Sequence, residues 1–225
     1  MTTAPKHLMH FEGGIALSAF RSQGLRARLA QANPRIVGVS ALVVVIGLPL
    51  WLLIALAIKL DSRGPVLYRD RRIGVGEREF GMLKFRTMVQ GAAEQQAVLE
   101  DHNEAGGALF KIRDDPRRTR VGRWLRRFSL YELPQIAHVL SGRMSLVGPR
   151  PFTPEQQGLY AGGHAAAYYS LRPGLSGLWQ VSRRNAGSFS ERVAYDDEYS
   201  RSVSLWSDAL ILWRTVLVVL RATGI

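Results

Sequence analysis

Between Arg35 and Lys59 the chain runs for 23 residues, Ile36 to Ile58, without a charged side chain. A helix rises about 1.5 Å per residue, so one of this length covers the hydrocarbon core of a bilayer, roughly 30 Å thick. A cleaved secretory signal fits poorly, because its apolar region is shorter and no small-residue cleavage site follows here. The segment predicts a membrane helix. Arg21, Arg26, Arg28 and Arg35 precede it, and Lys59, Arg63, Arg69, Arg71 and Arg72 follow it. Cationic flanks favour the cytoplasmic side. Gly47 and Pro49 stand near the middle, where proline removes a backbone hydrogen bond and can bend or break a helix. Together these features predict a re-entrant helical hairpin over residues 36–60 that enters and leaves on one face. A straight span is the alternative, since membrane helices tolerate proline.

Beyond the apolar run the pattern changes to short elements. Asp61-Ser62-Arg63-Gly64-Pro65 reads as a turn. Val66-Leu67-Tyr68 and Phe80 to Phe85 read as strands on either side of a turn at Gly74 and Gly76. Gly74-Val75-Gly76 lacks the third glycine of a dinucleotide fingerprint and is turn chemistry. The Ala/Glu/Gln-rich stretch 89–104 predicts a helix. Residues 119–140 read as helical on both sides of Ser129, with Val121, Trp124, Leu125 and Phe128 on one face. Gly148-Pro149-Arg150-Pro151 and Arg172-Pro173-Gly174 must be rigid, non-helical connections. Residues 205–221 predict an amphipathic helix that either packs on the domain or lies in a membrane interface. The organisation expected is a lead-in over 1–35, a membrane hairpin over 36–60 and one domain over 61–225, of α+β class and predominantly helical.

Composition narrows the partners. The chain has no cysteine, which excludes disulfides and cysteine-based metal or redox chemistry. Its formal charge of +12 attracts phosphates, whether in nucleic acid, anionic lipid or nucleotide-sugars. Basic residues are not interleaved with aromatics in any nucleic-acid-binding pattern, so nucleic acid is not an expected partner. Arg117, Arg118, Arg120, Arg123, Arg126 and Arg127 concentrate charge just before Ser129. A guanidinium binds phosphate in a bidentate fork, and the same arginines could instead face anionic membrane lipid, the reading favoured for Arg117, Arg118 and Arg123.

Five segments occur in order after the apolar run. They are Asp61-Ser62-x-Gly64-Pro65-Val66, Lys84-Phe85-Arg86-Thr87-Met88, and Ser129-Leu130-Tyr131-Glu132-Leu133-Pro134-Gln135, followed by Gly142-x-Met144-Ser145-Leu146-Val147-Gly148-Pro149-Arg150-Pro151 and Arg172-Pro173-Gly174-Leu175-Ser176-Gly177-Leu178-Trp179-Gln180-Val181. The series closely resembles the bacterial sugar transferase family, the monotopic phosphoglycosyl transferases, from about residue 36 to the C-terminus. The resemblance implies transfer of a hexose-1-phosphate from a UDP-sugar to polyprenyl (undecaprenyl) phosphate, with release of UMP. That reaction would initiate exopolysaccharide or related glycan synthesis at the cytoplasmic face of the bacterial inner membrane. In the family an Asp-Glu pair stands where Tyr131-Glu132 stands here; the Asp attacks the β-phosphate and the Glu is associated with a Mg²⁺ on the diphosphate. Covalent catalysis of this kind leans on charge neutralisation, for which metal and arginine are the tools. By position, Lys84, Arg86, Arg126, Arg150 and Asp196 are implied to contact substrate, and Glu132 to hold the metal. Pairing with a second copy of the chain is left open.

The departure from the pattern is Tyr131, a phenol in place of a carboxylate. An ordinary tyrosine has a pKa near 10 and needs a cation or a base beside it to attack phosphorus. Three readings stay open at this point: Tyr131 is the nucleophile, Glu132 is, or the chain binds substrate or assembly partners without turnover. Ser129-x-x-Glu132 also fits a capping box, an alternative and purely structural account of both residues. His138 and Arg143 stand where the family has Asn and Asp, and His138 reads as an ordinary polar residue.

Overall fold

A computed structural model describes residues 34–104, 110, 112–160, 164–182 and 189–222, so the lead-in lies almost entirely outside the described residues. The chain is mostly helical with two small sheets. Helix α1 spans Pro34–Asp61 and is assigned as helix through Gly47 and Pro49 without interruption. The described residues therefore show one long apolar helix with Pro49 inside it. It is the single helix among them that is long and apolar enough to cross a membrane, and only 11% of its Val44–Asp61 window is buried. Its contacts are confined to one stripe: Val44, Trp51, Ile54 and Ile58 pack on the domain. Val45 and Ile46 are each 70% exposed on the other side. Spacings of seven, three and four residues put that stripe on one helix face.

Strand β1 (Leu67–Ile73) pairs antiparallel with β2 (Glu79–Phe85) in the register Leu67 to Phe85 and Ile73 to Glu79. The turn between them uses Gly76 at φ 59, a left-handed conformation that glycine adopts without steric cost. The expected helix over 89–104 is not formed. Turns lead instead to a 3₁₀ segment at Ala97–His102, with no buried residue in it. Good helix formers alone do not hold a short helix; an apolar face buried against a partner does.

Helix α2 (Arg120–Arg127) follows, N-capped by Thr119, whose side chain accepts from the Gly122 amide. Asp61, the last residue of α1, adds a second cap: its Oδ2 accepts the Val121 N–H at 2.8 Å. A carboxylate at a helix N-terminus satisfies an orphan donor and complements the dipole. Helix α1 is thereby tied to the element that leads into the Tyr131 segment. A 3₁₀ turn at Leu130–Gln135 and the short helix α3 (Ile136–Leu140) come next. Strand β3 (Ser145–Val147) pairs in parallel with β4 (Gly174–Ser176), across the intervening helix α4 (His164–Ser170). Three helices complete the described chain: α5 (Leu178–Ser182), α6 (Phe189–Ser202) and α7 (Leu205–Leu220). Helix α7 packs through buried Ile211 on Val147 and Tyr199, yet leaves Trp206 80% and Trp213 61% exposed. It therefore does pack on the domain, with much of its apolar surface uncovered.

Candidate active site

The Leu130–Gln135 turn lies against β2 and the foot of α1. Leu130, Tyr131 and Leu133 pack on the buried cluster of Ile54, Ile58, Phe85 and Leu125. Ser129 enters the turn in the left-handed region (φ 56, ψ 16) and makes no side-chain cap bond, so the capping box is not formed. The Glu132 carboxylate turns elsewhere: its Oε1 accepts from the Arg150 guanidinium at 2.9 Å, with the side chains only 15% and 27% exposed. Burial alone would raise the Glu132 pKa, but Arg150 and then Lys84 outweigh it and hold the carboxyl below its usual range. The Tyr131 phenol moves the other way. Burial, and then the Glu132 charge beside it, push it above its ordinary value of 10.0.

A second cluster adjoins the first, built across the β-hairpin. Asp70 Oδ2 accepts from Lys84 Nζ at 2.6 Å and from Arg72 at 2.6 Å, all three side chains being less than one-fifth exposed. Burial would raise Asp70, and its two cations hold it below the usual carboxylate range. Burial and the neighbouring Arg72 push Lys84 down to about 8, against the pull of Asp70 and Glu132. Lys84 thus feels both carboxylates, and the two ion pairs form one buried electrostatic unit. Asp70 carries no motif signal. Its partners Lys84 and Arg72 converge only when β1 and β2 pair, so its role is a product of the fold.

Arg150 is aimed by two crossed loops. A Cβ on Gly148 would fall 2.3 Å from the Arg172 carbonyl oxygen, and one on Gly174 would fall 2.2 Å from the Gly148 nitrogen. Only glycine permits backbones to approach so closely. Arg72 also donates to the Pro151 carbonyl at 3.1 Å, and the Ile73 amide to Phe152 at 2.9 Å, which ties the hairpin to the Arg150 loop. Arg192 donates to the Arg150 carbonyl and pairs with Asp196 at 3.8 Å. Asp196 is thus one step removed from Arg150: it is 4% exposed, and Arg192 stands between them.

Of the candidate residues, Tyr131, Glu132, Lys84 and Arg150 come together directly. Arg126 joins them, its guanidinium 5.4 Å from the Tyr131 ring centroid and its Nε donating to Thr87 at 2.9 Å. Arg86 is buried and engaged elsewhere, donating to the carbonyls of Ser62 and Arg63 just after α1. Arg117 does not face lipid. It is 4% exposed and held by Asp115 at 2.6 Å, while Arg118 bonds the carbonyls of Ile112 and Arg113.

Among the described residues no three His, Cys, Asp or Glu side chains are grouped to hold a metal ion. Asp70 is engaged by Arg72 and Lys84 and Glu132 by Arg150, so a metal ion here would have to share a carboxylate that already has a cationic partner. One carboxylate suits Mg²⁺ that arrives on a diphosphate, because that ion keeps water and phosphate oxygens as most of its ligands.

The arrangement is a carboxylate set among guanidinium and ammonium groups at the foot of an apolar helix. The pattern of the bacterial sugar transferase family matches residues 33–222. The exopolysaccharide production protein ExoY of Rhizobium meliloti is 43% identical over 183 residues, covering 78% of this chain and 79% of that protein. The UDP-glucose:undecaprenyl-phosphate glucose-1-phosphate transferase of Caulobacter vibrioides is 44% identical over 184 residues, covering 79% of this chain and 65% of the relative. The undecaprenyl-phosphate galactose phosphotransferase of Salmonella typhimurium is 39% identical over 189 residues, and the match covers 82% of this chain but 39% of that longer protein. The chain belongs to the bacterial sugar transferase family and is a transferase enzyme.

Proposed function

We propose that the chain transfers a hexose-1-phosphate from a UDP-sugar to polyprenyl (undecaprenyl) phosphate, releasing UMP, as the initiating step of exopolysaccharide or related glycan synthesis. The observation that carries this reading is the buried Glu132 carboxylate, ionised and flanked by Arg150 and Lys84, in a turn whose neighbours pack on the apolar helix. Such a site receives a water-soluble diphosphate on its charged side and a lipid phosphate from the membrane side. The relatives' names supply the substrate classes: UDP-glucose and undecaprenyl phosphate in one, undecaprenyl phosphate and galactose in another.

Glu132, not Tyr131, is the nucleophile in this reading. A phenol with a pKa above 10 is ionised in fewer than about one molecule in a thousand at neutral pH. Glu132 is a weak base and a poor acceptor for the phenol's proton, but it is itself charged and ready. A Glu132 oxygen bonds to the β-phosphorus while the bond from that phosphorus to the bridging oxygen breaks, and UMP leaves with the electron pair. An oxygen of polyprenyl phosphate then attacks the same phosphorus and returns the carboxylate. Lys84, Arg126 and Arg150 neutralise the phosphoryl oxygens, and the neutral Tyr131 O–H, hydrogen-bonded to Glu132, holds the carboxylate in place beside them. Mg²⁺ would supply further neutralisation of the diphosphate when bound, and Glu132 would have to share its carboxylate between holding the ion and the attack.

A bend at Pro49, whose ring removes a backbone hydrogen bond, would return α1 to the cytoplasmic face. Both of its flanks are cationic, Pro49 stands in its middle, and its Val44–Ile58 stripe follows the domain surface. A non-catalytic, substrate-binding member is the second reading, favoured by the one observation that a neutral phenol occupies the position of the family's attacking Asp. UMP release decides between them. In detergent with polyprenyl phosphate, Mg²⁺ and a panel of UDP-sugars, the native chain and Tyr131→Phe turn over within about tenfold of each other, and Glu132→Gln does not. Absence of UMP release from every UDP-sugar would sink the catalytic reading.

A further inference from the structure

A cleft of about 350 Å³ opens at the turn end of the β-hairpin, and its walls include Arg78, Arg143, Arg172, Phe80, Gly81 and Gly142. None of these residues belongs to the Glu132 cluster. Guanidinium groups crowded on one small cleft repel each other, and an anion placed among them relieves that repulsion. Neither Arg143 nor Arg172 has a carboxylate within ion-pair distance among the described residues. The acidic residue on the cleft, Glu79, is already paired with Arg71 at 2.7 Å. Arg69 adds a fourth positive charge nearby: a Cβ built on Gly81 would lie 3.7 Å from its Cδ. The positive field also registers on buried His138, which burial first, and then Arg143 and Arg69, push down to about 4.

The position of the cleft says which anion. Phe80, on its wall, belongs with Val44 and Trp51 of α1 to the residues packed on Met82, Ile136, Val139 and Met144. The adjoining α1 residues Val45 and Ile46 are exposed. The cleft and α1 thus share one apolar backing, and an anion with an apolar remainder suits that combination better than a free phosphate. We propose that the cleft lined by Arg78, Arg143 and Arg172 binds the phosphate of an anionic membrane lipid, and so fixes the depth and tilt of the domain on the bilayer. The assignment rests on α1 lying in a membrane and not on the chemistry at Glu132, so the two fail separately.

The test uses the purified full chain in zwitterionic detergent and measures saturable binding of a short-chain phosphatidylglycerol, a phosphatidylcholine of equal chain length, and inorganic phosphate. The phosphatidylglycerol binds, and Arg143→Gln or Arg78→Gln each weakens it about fivefold, as expected for removing one cation near a lipid phosphate. Arg143→Lys restores most of the binding, and UMP release in detergent is unchanged in all three variants. Equal binding by native chain and both glutamine variants would overturn the proposal. So would inorganic phosphate binding as tightly as phosphatidylglycerol, which would make this a soluble-phosphate site, or phosphatidylcholine binding equally well, which would remove the role of charge.

Discussion

Arg150 reaches Glu132 across 18 residues of sequence, its guanidinium nitrogen 2.9 Å from Glu132 Oε1. The glycine-to-glycine crossing of the Gly148 and Gly174 loops aims the arginine, and its contact keeps the carboxylate charged in a buried turn. Because the Glu132 pKa is depressed in the folded chain, the carboxylate is ionised throughout the neutral range and protonates only below the usual carboxylate pH. The acid limb of the UMP-release profile therefore falls below that range. Replacing Arg150 by Gln removes the cation that offsets burial, so the limb moves to higher pH. kcat/KM at neutral pH drops by about ten- to a hundredfold, the worth of a charge-assisted contact. A pH–rate series on both proteins checks the direction, and an unmoved acid limb would mean that another group controls the reaction.

Lys84 gives the basic side of the same profile. With its pKa pushed down to about 8, the ammonium is charged at neutral pH and is lost as pH rises through that value. The KM for the nucleotide-sugar accordingly climbs above about pH 8. Asp70 raises the Lys84 pKa through its 2.6 Å contact, so Asp70→Asn shifts this climb to lower pH. The same substitution raises KM at neutral pH by about tenfold or more, since a phosphate contact loses its charge. A merely structural Asp70 would lower the yield of folded protein and leave the pH midpoint where it is.

The Asp61 cap joins α1 to the site. Asp61→Ala leaves the Val121 amide without its 2.8 Å acceptor and costs about 1 kcal/mol, with Asp61→Asn recovering most of it. Thermal unfolding of the three proteins in one detergent measures the difference.

How α1 sits in the bilayer has a direct readout, because the chain contains no cysteine. Arg35→Cys and Ser62→Cys each introduce a single thiol at opposite ends of the apolar run. A membrane-impermeant maleimide labels both from the cytoplasmic side and neither from the other side. Labelling of the two from opposite sides would show a straight span.

Much of this was readable in the chain before folding, for reasons that differ by element. The apolar run needed only its length, and the β-hairpin was marked by the glycines at 74 and 76. Lys84, Glu132 and Arg150 were found through motif order, and they do converge. Asp70 was not legible, because its importance depends on strand register and on burial, which no local pattern encodes. The Ser129 capping box misled for a related reason: its spacing is correct, but Ser129 adopts a left-handed conformation and Arg150 claims the Glu132 carboxylate. The 89–104 helix failed because helix-forming residues there have no apolar face to bury. Arg86 and Arg117 look like phosphate or lipid ligands in sequence, yet backbone carbonyls take one and Asp115 the other.

The central claim is that a carboxylate, and not the phenol beside it, carries the phosphosugar. Incubating the chain with UDP-sugar and Mg²⁺ without the lipid acceptor, quenching, and mapping the modified peptide by mass spectrometry tests it most directly. The expected result is an added mass on Glu132, present also in Tyr131→Phe and removed by hydroxylamine, which cleaves an acyl phosphate. An adduct on Tyr131 that resists hydroxylamine, or no adduct in a chain that binds the nucleotide-sugar, would contradict it.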